Sequence, residues 1–117
     1  MAKNYIGEGE RIVVTTSTAV TSGDLLMVND LAAVALHDAA GEEKVACQAV
    51  GIFRLAHKAN EAITQGTKVY WDADGDPLDG EAGSGCLTAT ATDNKYVGIC
   101  WADAAQADQT IEVKINA

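Results

Sequence analysis

Ile111-Glu112-Val113-Lys114-Ile115-Asn116 sets a β-branched apolar side chain at every second position. Successive side chains of a strand point to opposite faces, so the stretch predicts a half-buried strand with Ile111, Val113 and Ile115 turned inward. Leu87-Thr88-Ala89-Thr90-Ala91-Thr92 repeats the same period. Val, Ile and Thr also concentrate in residues 11–16, 24–28, 32–36, 44–50, 52–56, 68–72 and 96–101. Branched side chains fit a pleated surface, and each of these segments predicts a strand.

Turn residues separate them: Ser22-Gly23-Asp24, Val28-Asn29-Asp30, Ala40-Gly41-Glu42, Asp74-Gly75-Asp76 and Thr92-Asp93-Asn94. Glycine supplies positive φ without a steric cost, and Asn and Asp bond their own backbone. Short strands at this spacing predict an all-β, antiparallel sandwich or barrel. One short helix is predicted over residues 60–65, with Gly66 as its stop. Residues 102–107 read as a loop.

At 117 residues the chain has room for one domain and one core. Residues 1–10 are glycine-punctuated, and they read either as a frayed terminus or as an extended arm that becomes ordered when it adds to a partner's sheet edge. With 17 acidic and 8 basic residues the net charge is −9. Such a chain repels phosphate backbones and anionic lipids, so neither nucleic acid nor membrane is expected as a partner. Cys47, Cys86 and Cys100 are an odd number with no CxxC spacing, which predicts reduced thiols. No hydrophobic leader follows Met1, so synthesis in the host cytoplasm is expected.

No motif carries chemistry. The run from Asp72 to Glu81 resembles a calcium loop in composition, but its sixth and twelfth positions are Pro77 and Gly83 instead of Gly and Glu. It reads as a solvated hairpin tip. Gly80-Glu81-Ala82-Gly83-Ser84-Gly85-Cys86-Leu87 has phosphate-loop glycines, yet Cys86 replaces the lysine and Leu87 the hydroxyl. His37 and His57 lack a local partner for metal or nucleophile chemistry, and read as surface or strand-end residues. No catalytic residue, cofactor or metal is therefore expected. Tyr70 and Trp71 are neighbours on one strand and must face opposite ways, so one can serve the core while the other meets a neighbour or the surface.

An ordered series of features runs the length of the chain. It begins with Met1-Ala2-Lys3-Asn4-Tyr5-Ile6-Gly7-Glu8-Gly9 and Thr21-Ser22-Gly23-Asp24, then Gly51-Ile52-Phe53-Arg54-Leu55. Gly66-Thr67-Lys68-Val69-Tyr70-Trp71-Asp72, Tyr96-Val97-Gly98-Ile99 and Ile111-Glu112-Val113-Lys114-Ile115-Asn116 complete it. In this order the chain resembles a family of small phage and prophage proteins described as capsid cement, or head decoration, proteins. The resemblance implies a β-barrel or β-tulip module on the outer capsid surface, with the major capsid protein as partner and a homotrimer as the assembled form. Lys3, Asn4, Tyr5 and Ile6 of the arm, with Trp71, are the expected interface residues. Members of the family have been labelled recombinases, and nothing in this sequence supports that label. The competing expectations are another virion part, such as a head–tail or tail component, and a small-ligand-binding barrel.

Overall fold

Each period-two segment forms a strand. The computed structural model describes Asn4 and residues 9–58 and 60–117. The strands are β1 (Arg11–Thr15), β2 (Leu25–Val28), β3 (Leu31–Ala35), β4 (Lys44–Gln48), β5 (Gly51–Ala56), β6 (Lys68–Asp72), β7 (Cys86–Thr88), β8 (Lys95–Cys100) and β9 (Thr110–Ile115). They make a four-stranded sheet, β1-β4-β3-β2, and a five-stranded sheet, β5-β9-β8-β6-β7. Neighbouring strands run antiparallel in both. The chain changes sheets between Gln48 and Gly51, where Gly51 takes a φ of 137° that a side chain rarely tolerates.

Alternation explains the packing. Ala32 and Val34 of β3 join Leu55, Val69, Leu87, Ile111, Val113 and Ile115 in the larger core between the sheets. Ala33 and Ala35 point the other way, into a smaller cluster with Val20, Val45 and Cys47. β3 is thus covered on both faces, which is why it is built from small residues: close-packed layers on either side leave little depth between them. Asn116, just beyond β9, ties the two sheets together. Its Oδ1 accepts from the Ala32 N–H at 3.0 Å, and its Nδ2 donates to the Ala32 and Ala49 carbonyls, each at 2.7 Å.

The five-stranded sheet curls until its edges touch. A parallel bridge joins His57, just past β5, to Leu87 of β7, and the Lys58 N–H reaches the Leu87 carbonyl at 3.3 Å. No ladder continues from it among the described residues. The expected barrel is therefore realised as two packed sheets, the larger one curled but open.

Two expectations need correction. Residues 60–65 are not helical, and no helix occurs among the described residues. Ile63 is buried, and its backbone pairs in both directions with Ala104, at 2.9 and 2.8 Å. A six-residue helix must meet the nucleation cost with few internal bonds, and pairing Ile63 to the core edge satisfies the backbone better. Gly66, at φ 90°, closes a turn there instead of stopping a helix. The threonine-rich strand is also shorter than its period suggests. Glu61 accepts from the Ala89 N–H and the Thr88 hydroxyl, at 3.1 and 3.2 Å, and so takes the place of a neighbouring strand from that point on.

Candidate functional site

The sequence-predicted interface residues divide by position. Lys3, Tyr5 and Ile6 lie outside the described residues, and Asn4 is exposed. The Glu10 carbonyl accepts the Ala49 N–H at 2.7 Å beside the edge strand β1. Trp71 faces inward, half-buried against the larger core. A Cβ on Gly85 would come within 2.4 Å of its ring, so only glycine permits this packing. Trp71 also lines an open cleft of about 540 Å³ together with Met27, Lys58, Thr88, Thr90 and Lys95. Its neighbour Tyr70 points outward and meets Tyr96 edge-on, ring centres 5.8 Å apart. The opposite orientations follow from adjacency in one strand.

The acidic run forms the tip of the hairpin joining β6 to β7, as its composition predicts. Its folding is local: the Gly83 N–H bonds Asp76 Oδ1 at 2.7 Å, and the Gly85 N–H bonds the Gly75 carbonyl at 2.9 Å. Among the described residues no group of three or more His, Cys, Asp or Glu is placed to hold a metal ion. The glycine loop that follows runs directly into β7, so no helix end faces it.

His37 is exposed, whereas His57 is at a strand end but fully buried. Because the Asp108 carbonyl can only accept, His57 Nδ1 must donate to it at 2.8 Å. That leaves the buried Nε2 with no hydrogen-bond partner among the described residues. Sequence gave no sign of this burial, since a histidine ending an apolar strand reads the same in either place.

All three thiols are buried and free. Burial pushes the Cys86 thiol up to about 11, and the charge of Asp72 adds to the effect. Burial also raises Cys47 and Cys100. A thiol held protonated inside a core is a poor nucleophile.

The outer face of the five-stranded sheet is open to solvent. One row crosses four strands in register, Ile52 to Lys114 to Ile99 to Lys68. The next sets Arg54 opposite Glu112, whose carbonyl accepts the Trp101 N–H at 2.8 Å. Ile52 is 47% exposed and Trp101 45%. Period-two reading places the residues of β5, β6 and β9 on this face, but it misses the register shift in β8 that turns Val97 into the core and leaves Ile99 outward, and it cannot tell which rows end up side by side. That depends on strand order.

The fold and its surface define a small two-sheet β-protein with an amphipathic open face. It belongs to the phage cement protein family, whose model matches residues 6–115. No curated protein and no solved structure matches the chain. Membership makes it a phage structural protein associated with the capsid of the virion, and a non-enzymatic role goes with that family. No helix among the described residues is long and apolar enough to cross a membrane.

Proposed function

We propose that the protein binds the outer surface of the assembled head through the major capsid protein and stabilises the shell without catalysis. The family match over residues 6–115 carries this reading. A ligand that binds only the assembled lattice shifts the equilibrium toward it, so the work needs an interface and a stiff body. The doubly covered β3 and the Asn116 tie support the second requirement. A homotrimer touching several capsid subunits would multiply a weak individual contact through effective concentration. The arm, with Lys3, Asn4, Tyr5 and Ile6, and the cleft beside Trp71 are the first contacts we assign. The protein is made in the host cytoplasm and carried outward on the particle.

Co-sedimentation with purified heads lacking the protein tests the reading. Expanded heads should bind it, unexpanded heads should not, and bound heads should withstand a higher temperature before disassembly. Failure to sediment with either form would overturn it, and a position at the tail in electron micrographs would favour the head–tail alternative. Deleting residues 1–8 should abolish binding and leave the melting temperature unchanged. Full binding by that variant would remove the arm from the interface.

A further inference from the structure

We infer that the outer face of the five-stranded sheet docks the protein on the shell, against a folded protein surface rich in carboxylates. The inference rests on the head-binding reading above and names the surface and partner chemistry for it. The solvent face of an antiparallel sheet is ordinarily polar throughout. Here Ile52 and Ile99 flank Lys114 on adjacent strands, and Trp101 follows Ile99 on the same side of the chain. Two side chains on one strand face are roughly 7 Å apart, so Ile99 and Trp101 form one continuous apolar centre instead of isolated exposures.

The charge around that centre is richer in cations than the chain as a whole. The whole chain holds 17 acidic residues against 8 basic ones, so any patch should carry about two acids for each cation. These two rows carry Arg54, Lys68 and Lys114 against Glu112, with Asp103 and Asp108 beside Arg54 at one end, so cations equal acids here where the whole chain has about half as many. Lysine and arginine stems can lie along the apolar centre while their heads reach a partner at the rim. An aromatic centre with a charged rim is the layout of a specific protein–protein contact. Nucleic acid also offers negative charge, but a chain of net charge −9 repels a polyphosphate that extends past the patch. A compact carboxylate-bearing surface meets the three cations without that penalty.

The test uses the full chain and purified heads lacking the protein, in co-sedimentation at two salt concentrations. The triple variant R54E/K68E/K114E should lose binding by about a hundredfold, and W101A by about tenfold, as for central aromatic anchors. Added salt should weaken the wild type, and D79K/E81K at the hairpin tip, outside the Trp71 cleft, should bind normally. Each variant is melted beside the wild type, and only those of unchanged melting temperature are counted. I52S serves as a second apolar variant should W101A be unstable. Normal binding by the folded triple variant overturns the inference while the head-binding reading stands. Binding that requires packaged DNA, absent on emptied and nuclease-treated heads, overturns it in favour of nucleic acid. A triple variant that loses self-association in light scattering but still binds heads overturns it in favour of a second copy. Wild-type protein that ignores heads altogether defeats the head-binding reading itself.

Discussion

Replacing Asn116 with glycine removes the side chain that spans the two sheets and leaves the backbone free to keep its φ of 56°. Three hydrogen bonds disappear, one from the Ala32 N–H and two to the Ala32 and Ala49 carbonyls. A hydrogen bond contributes about 1 kcal/mol net, and these are partly accessible to replacement water, so the loss should be about 2 kcal/mol. Alanine loses the same bonds and must also hold a left-handed backbone, adding about 1 kcal/mol. Aspartate keeps the acceptor for Ala32 but sets a carboxylate against two carbonyls, and should be at least as harmful as alanine. Urea unfolding followed by the fluorescence of Trp71 and Trp101 reads all three variants against the wild type. At about 4 °C per kcal/mol for a domain of this size, N116G should melt about 8 °C lower and N116A about 12 °C lower. A glycine variant within about 0.5 kcal/mol of wild type at equal m-value would show that packing alone joins the sheets.

Three further outcomes are expected. Gly98→Ala would place a Cβ 2.1 Å from the Lys114 carbonyl oxygen, so β8 and β9 must separate; a loss of about 3 kcal/mol is expected, against about 1 for Gly66→Ala, where only the φ of 90° is strained. Equal losses in urea unfolding would refute the steric account. Because Cys86 is raised in the folded state from about 9 to about 11, the unfolded chain releases its proton first as pH rises. Stability should therefore be intact below pH 9 and fall between pH 9 and about 11, with Cys86→Ala reducing that fall in unfolding curves; an unchanged slope would contradict it. His57→Phe gives up the bond to Asp108 but removes the unpartnered Nε2, so its stability should lie within about 1 kcal/mol of wild type, and a loss above about 3 would mean that Nε2 has a partner.

The fold was legible wherever a strand has one covered face. Ile111, Val113 and Ile115 announce their strand by alternation, and nearly every strand boundary falls within two residues of the sequence expectation. Where polar side chains replace strand partners, legibility ended. Glu61 stops β7 early, and Ile63 pairs with Ala104 instead of starting a helix, through contacts 27 and 41 residues apart in sequence that no local pattern carries. The surface behaves in the same way. Arg54, Lys68 and Lys114 look scattered through the chain, and only the order β5-β9-β8-β6 brings them onto one face. Trp101 was visible in sequence as a strand-end aromatic, but its exposure depends on that same order.

β9 follows the other described strands in sequence, yet it lies between β5 and β8 inside the larger sheet. During synthesis, β5 has no partner along its length until residues 110–115 have been made. β6, β7 and β8 can pair as they emerge, but a chain cut short before residue 110 leaves the edges of β5 and β8 open to other chains. Closing the sheet then waits on residues 110–115 and on contacts distant in sequence, which slows it. A chaperone that shields the edges of β5 and β8 in that interval would raise the yield without touching the finished protein.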